Sequence, residues 1–337
     1  MQAEVSSRET DTGMAETTYL EAIRQAMFEE MERDERVFLI GEDVGAYGGA
    51  FKTSAGLIDK FGPERVIDTP ISEIAITGAA SGAALMGMRP IAEMQFIDFI
   101  TCAYDILVNF TATNRYLYGR DCPIVVRGPA GAGTHGGPFH SLSPEAMFMN
   151  RPGIKIVSPG TAYDAKGLLK AAIRDDDPVL FIEHKYLYRR IKEDLPDDDY
   201  IVPIGKANIR RKGKDLSIIT WGAMIYVADE AAEILAKDGV SVEIVDLRTI
   251  IPFDEEAILE SVRKTGRVIV LHEAPLTGGA GAEFAARIAE KAFDYLDAPV
   301  KRIGALDVPT PYSPPLEENY LPNAQKVLAV ARELLAY

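Results

Sequence analysis

Short, largely apolar runs recur along this chain, most of them separated from the next by a stretch with apolar residues at helical spacing. A strand that is apolar at every position is buried on both faces, and a parallel sheet covered by helices is the usual way to achieve that. The first half predicts strands over 37–40, 66–67, 90–94, 124–126, 155–157 and 179–182, with helices over 19–34, 74–86, 100–116, 144–150 and 162–174. An acidic, proline-punctuated segment follows at 192–203 (KEDLPDDDYIVP), then a basic, hairpin-like RRKGK at 210–214. Beyond it the alternation restarts, with strands over 216–220, 242–245, 268–271 and 300–303 and helices over 223–237, 254–264, 281–293 and 322–335. Strands alternating with helices define an α/β protein with mostly parallel sheets. We expect two α/β domains, residues 17–195 and a smaller unit at 210–337, joined by a linker at 196–209. Residues 1–16 read as a disordered leader, with Met14 as an alternative start.

Thirty-six Lys and Arg stand against 51 Asp and Glu, a net charge of −15. That balance argues against a nucleic-acid or anionic-membrane surface; it suits a basic protein partner, and equally a role in solubility alone. The two cysteines, Cys102 and Cys122, and the four scattered histidines form no zinc-type spacing and no disulfide framework, as befits a reducing cytoplasm. No apolar run approaches the ~20 residues of a membrane span. The first residues also lack a signal-peptide core and the basic character of a transit peptide. The expected location is therefore the cytoplasm.

Residues 69–99 (TPISEIAITGAASGAALMGMRPIAEMQFIDF) place Glu73 at the mouth of an apolar, alanine- and glycine-rich helix. A carboxylate in that position can be desolvated and used to move protons, although the helix dipole favours a first-turn glutamate in any helix. Phe99, 26 residues later, is a core residue or a stacking surface. The strand at 124–126 runs into RGPAGAGTHGGPFHSLSPE (127–145), where Gly131, Gly133 and Gly136 satisfy G-x-G-x-x-G. A dinucleotide fingerprint needs a helix opening at the third glycine. Pro138 follows instead, so a nicotinamide-dependent oxidoreductase is disfavoured and the segment reads as an active-site or interface loop. His140 precedes a helix start expected at Ser143, with Pro144 and Glu145 in its first turn. Either Ser141 or Ser143 caps that helix with His140 packed beside it, or the imidazole serves proton transfer at a cofactor. Gly278 to Phe284 (GGAGAEF) opens a helix that suits an anion or close helix–strand packing. His184 reads as a strand-end residue, and Lys185, Arg189, Arg190 and Lys192 as a solvated or interface charge network.

From residue 17 to the end the chain resembles the beta subunit of the thiamine-diphosphate-dependent decarboxylase component of 2-oxoacid dehydrogenase complexes. The likeness rests on IGEDV (40–44), DTPISE (68–73), EMQFIDF (93–99), HSLSPE (140–145), PGIKIVSP (152–159) and DLRTIIPFD (246–254), found in the family's order. It implies a thiamine-diphosphate pyrimidine-binding domain followed by a transketolase C-terminal-like domain. It further implies that Glu73 contacts N1′ of the aminopyrimidine, favouring the imino form that removes the thiazolium C2 proton. Phe99 would lie against that ring and Ile71 would also contact the cofactor, while His140 would serve acyl transfer to a lipoyl group. Leu142 departs from the glutamine that many members carry. The chain has no GDG motif, so the resemblance implies an alpha subunit that supplies the diphosphate and Mg2+ sites in an α2β2 heterotetramer. That assembly would dock on a lipoyl acyltransferase core. Some members hold K+ on backbone carbonyls at positions matching 122–125 and 172–177, here including Val125 and Asp175. The substrate would be a 2-oxo acid, branched-chain or pyruvate. The alternatives are an acetoin dehydrogenase beta subunit and a non-catalytic assembly subunit.

Overall fold

The computed structural model describes residues 16–337; all but the last residue of the expected leader lies outside that range. Strand β1 (Thr17–Thr18) leads into α1 (Tyr19–Arg33), whose start is fixed by a reciprocal capping box between Thr18 and Glu21. Then come β2 (Val37–Gly41), α2 (Leu57–Phe61), β3 (Val66–Asp68), α3 (Glu73–Leu85) and β4 (Arg89–Glu93). The first half continues with α4 (Asn114–Tyr118), β5 (Val125–Ala130), α5 (Glu145–Met149), β6 (Lys155–Val157), α6 (Ala162–Arg174) and β7 (Val179–His184). Strand β8 (Lys192–Glu193) returns to pair with β1.

The second half holds β9 (Asn208–Arg211), β10 (Leu216–Thr220), α7 (Met224–Lys237), β11 (Val242–Asp246) and β12 (Thr249–Ile251). It ends with α8 (Glu255–Thr265), β13 (Val268–Pro275), α9 (Gly281–Lys291), β14 (Lys301–Ala305), α10 (Pro314–Tyr320) and α11 (Ala324–Leu335).

The strands form a seven-stranded sheet in the order β12-β6-β7-β5-β4-β2-β3 and a five-stranded sheet in the order β14-β13-β10-β11-β9. Every pairing in the larger sheet is parallel except β12 on β6, and in the smaller one except β9 on β11. Strands β2, β5, β7, β10 and β11 are buried at every residue, their largely apolar runs carrying buried polar or charged residues in all but β2. The mostly parallel α/β fold is the one expected from the sequence.

Two local expectations fail for identifiable reasons. The helix expected over 100–116 is broken into a 3-10 segment (Ile97–Ala103), a π segment (Ile106–Thr111) and α4. There the Thr111 hydroxyl donates to the Ile106 carbonyl at 2.9 Å, lies 2.7 Å from the buried Ser81 hydroxyl, and competes with backbone donors for helical carbonyls. The hairpin-like stretch at 210–214 is instead the end of edge strand β9 and the turn after it. Strand β12 is the larger surprise, since it comes from the second half yet extends the first sheet.

The junction between the halves buries acids. Arg248 lies 2.7 Å from Asp164 at the start of α6, and its amide donates to Asp246 at 3.1 Å. Burial, and then the charge of Asp164, push the Asp246 carboxyl up to about 7 against the pull of Arg248. In the unfolded chain it ionises near ~3.9. The native state therefore loses stability as pH rises from the unfolded value through about 7, and no further above that. Asp246→Asn should melt progressively higher than the parent between about pH 5 and about pH 8, by several degrees at the upper end. A melting difference independent of pH would contradict this.

Candidate functional site

Strands β2, β3, β4 and β5 are mutually parallel, so the loops at their carboxyl ends emerge along one edge, where open α/β sheets bind ligands. Glu73 leaves that edge five positions after Asp68, the last residue of β3, as the first residue of α3. Ser72, at the N-cap, makes no side-chain capping bond, and Glu73 occupies the positive end of the helix, half-buried. Beside it Ile71 is 81% exposed and Ile74 49%, large apolar side chains left in water at the mouth of a helix. Glu42, just past β2, is buried next to Glu73, and burial first, then the Glu73 charge, raises its carboxyl above the ordinary range. IGEDV was visible in the sequence; that its glutamate shares a site with Glu73 was not.

The loops after β4 and β5 bring Phe99 and His140 together. The imidazole of His140 meets Phe96 edge-on at 4.4 Å and Phe99 at 5.9 Å between ring centres. Asp98, buried beside Phe99, accepts from the amides of Ser141 and Leu142, both at 3.0 Å. Those two segments are thereby tied on either side of the ring. The helix expected to start at Ser143 starts at Glu145, and neither Ser141 nor Ser143 caps it; the N-cap is Pro144, without a side-chain bond. The Ser141 amide is engaged by Asp98, and Glu145 turns inward to accept from the Trp221 indole at 3.0 Å. Leu142 contributes through its backbone, its carbonyl accepting from Gly131 at 3.0 Å, so its departure from glutamine leaves these bonds intact.

No helix opens at Gly136; the chain makes a short 3-10 turn at Gly137–Phe139. Gly131 has φ +83°, and a Cβ there would lie 2.1 Å from the His184 ring, which explains the glycine. His184 is more than a strand end: its Nε2 is 2.7 Å from the Glu273 carboxylate, which also accepts from the Ala132 amide at 2.7 Å. Burial alone would raise Glu273, but His184, the Ala132 amide and Lys185 hold it down at about 2. Lys185 is not part of a solvated network. It is buried, its ammonium donates to the carbonyls of Ala130 and Gly131, and burial lowers it to about 8. Its ammonium thereby adds a donor at the start of the glycine loop, where the Ala130 carbonyl also accepts from the Lys185 amide at 3.2 Å.

Beneath this edge Arg127 is fully buried, bonded to Glu93 at the end of β4 and to both oxygens of Glu183 on β7. Tyr188 donates to Glu183 at 2.5 Å. None of this network was singled out in the sequence. A cavity of about 690 Å³ lies elsewhere, and one of about 600 Å³ is lined by Gly133, His184, Glu273 and Glu317; neither is lined by Glu73, Phe99 or His140, whose side chains are each half-buried.

Among the described residues, no group of three or more His, Cys, Asp or Glu side chains is arranged to hold a metal ion. At the turn expected to hold K+, the carbonyls of Ile173 and Asp175 accept from the Arg89 guanidinium at 3.0 and 2.8 Å, and the Asp176 carbonyl accepts from Cys122. A fixed cation of the chain already serves these carbonyls, so the turn fits a second cation poorly. Val125 lies within β5, its backbone in the sheet ladder.

The fold is of the transketolase type: "Transketolase, pyrimidine binding domain" matches residues 15–190 and "Transketolase, C-terminal domain" matches residues 205–327. A solved "split gene transketolase, inactive beta4 tetramer" superposes with a TM-score of 0.78 over 96% of this chain and 99% of its own, at 24% identity, which speaks for the fold alone. The 2-oxoisovalerate dehydrogenase subunit beta of Bacillus subtilis is 53% identical over 327 residues, 96% of this chain and 100% of that one. The mitochondrial 2-oxoisovalerate dehydrogenase subunit beta 2 of Arabidopsis thaliana is 46% identical over 94% of this chain and 88% of its own. The pyruvate dehydrogenase E1 component subunit beta of B. subtilis is 45% identical over 96% and 100%. The chain belongs to the thiamine-diphosphate-dependent, transketolase-like family of 2-oxoacid dehydrogenase beta subunits.

Replacing Arg127 by Leu should leave two buried glutamates without their cation and cost roughly 3–5 kcal/mol. Chemical denaturation of the purified chain measures this, and a loss below about 1 kcal/mol would show the network to be dispensable.

Proposed function

We propose that this beta subunit supplies the aminopyrimidine half of a thiamine-diphosphate site and takes part in oxidative decarboxylation of a 2-oxo acid, with acyl transfer to a lipoyl group. Glu73 and His140 are its catalytic residues; Glu73, Phe99 and Ile71 bind the cofactor. The observation that carries this reading is the Glu73 carboxylate at the mouth of α3, beside the raised carboxyl of Glu42 and the exposed Ile71. A flat heteroaromatic ring with a nitrogen needing an acceptor fits such a shelf, apolar on its face and anionic at its edge. When bound, thiamine diphosphate supplies the electron sink for loss of carbon dioxide.

The chain's own residues do the rest. Glu73 accepts a hydrogen bond from the ring nitrogen and so sets the protonation of the aminopyrimidine. Glu42, its carboxyl raised by burial first and then by the charge of Glu73, lies beside it as a second titratable acid. Phe99 presents an apolar surface, and His140, steadied against Phe96 and Phe99, holds or passes a proton where the acyl group leaves.

An alpha subunit would provide the diphosphate and Mg2+ sites in an α2β2 heterotetramer, and a lipoyl acyltransferase core would receive the acyl group. The exposed Ile71 and the absence of a GDG motif support a site completed by another chain. We take residues 17–195 and 210–337 as two domains joined by 196–209. We place the assembly in the cytoplasm; both cysteines are free thiols, and among the described residues no helix is long and apolar enough to cross a membrane. The substrate we favour is a branched-chain 2-oxo acid, because the B. subtilis relative named for 2-oxoisovalerate is more similar than the one named for pyruvate.

The test is dye-coupled oxidation by the chain assembled with its alpha subunit, on 3-methyl-2-oxobutanoate, 4-methyl-2-oxopentanoate, pyruvate and acetoin, each with and without thiamine diphosphate and Mg2+. Cofactor-dependent turnover, highest on a branched-chain acid, is expected; an intact assembly inert on all four would favour the assembly-subunit reading. Glu73→Gln should assemble normally yet lose about 100-fold or more in turnover, since an amide does not enforce the same protonation. Near-normal turnover would remove Glu73 from the mechanism. His140→Ala should impair acyl transfer to a lipoyl domain more than decarboxylation, and equal losses would refute that division.

A further inference from the structure

The segment between β5 and α5 carries Gly131, Gly133, Gly136 and Gly137 and has little conformational preference of its own. Its amides are met from outside, largely by the second half of the chain. The Ala132 amide donates to Glu273. The Gly133 amide donates to Glu317 at 3.0 Å, and the His135 amide reaches both oxygens of the same carboxylate at 3.3 Å. His135 Nδ1 lies 2.7 Å from Glu317 as well. His135 is held at φ +60°, a conformation uncommon outside glycine, so the anchor imposes a shape the loop would not otherwise keep. Glu317 sits on α10 and is 2% exposed. Two residues beyond His135, Gly137 (φ +65°) lies so close to Tyr312 that a Cβ would fall 2.2 Å from its ring. The Gly137 carbonyl accepts from the His140 amide at 3.4 Å, and past His140 the chain is fixed again by Asp98.

His140 therefore stands between two carboxylate anchors, Asp98 from its own half and Glu317 from the other. We propose that Glu317 is a positioning residue for His140: by fixing residues 133–137 it aims the imidazole. The proposal rests on the role given to His140 above. A carboxylate that merely joined the two halves would, when removed, weaken assembly and slow every step alike.

The assembled complex with its alpha subunit is compared as wild type, Glu317→Ala, Glu317→Gln, His140→Ala and the His140→Ala/Glu317→Ala double variant. Amide hydrogen exchange should quicken about 10-fold or more at Gly133 and His135 in Glu317→Ala, with the sheet unchanged. Acyl transfer to a lipoyl domain should fall about 10-fold in Glu317→Ala and only about threefold in Glu317→Gln, whose amide oxygen still accepts from the loop. In the His140→Ala background, Glu317→Ala should cost nothing further. Additive losses in the double variant, or unchanged exchange in the loop, would overturn the proposal while leaving the role of His140 in place. Wild-type acyl transfer by His140→Ala would overturn the role of His140, and that of Glu317 with it. If Glu317→Ala does not assemble, Glu317→Gln in both backgrounds decides the same question by the same two readouts.

Discussion

The buried guanidinium of Arg127 holds the functional edge of this protein together. It joins the carboxyl ends of β4, β5 and β7, adjacent strands from which the loops bearing Phe99, His140 and Lys185 depart. Two carboxylates and one cation leave a residual negative charge in a dry place, and the structure answers it with the Tyr188 hydroxyl and by raising the Glu93 carboxyl through burial. Such a network is costly to assemble and adds little net stability compared with an apolar core. Its value is geometric: the strand ends stay in register while the loops above them carry glycines and half-exposed side chains.

Much of the fold was legible because burial on both faces leaves a plain mark, a largely apolar run. Helix α6 (Ala162–Arg174) falls where its spacing places it, capped in the structure by Thr161, and α3 begins at Glu73. Strand β12 was illegible because three residues leave no periodic trace and their partner β6 lies some ninety positions earlier in the chain. The broken helix after Phe99 was illegible for another reason. Its threonines look like tolerable helix residues until one knows that Thr111 faces the buried hydroxyl of Ser81.

The site divides along the same line. Glu73, Phe99 and His140 could be named because each stands in a local motif, and the structure brings Phe99 and His140 into contact. Glu42 could have been found by asking which other acid lies in a landmark at a strand end. Glu273 and Glu317 could not, since each acts on the glycine loop across more than 130 residues of sequence. Lys185 was misread for a related reason. A lysine among arginines looks solvated, and only the fold shows its ammonium turned inward onto the loop carbonyls of Ala130 and Gly131.

The antiparallel seat of β12 on the edge of the seven-stranded sheet bears on how such a chain can be rearranged in evolution. A gene fission at the linker would deliver a first half whose β6 presents an uncapped row of amides and carbonyls, a template for pairing with any passing strand. The second half would meanwhile carry an orphaned strand with no sheet of its own. The halves can therefore diverge in their loops and surfaces, but recombining one of them with a foreign counterpart demands a matching edge strand. That single short pairing restricts modular exchange more tightly than the polar segment between the halves would suggest.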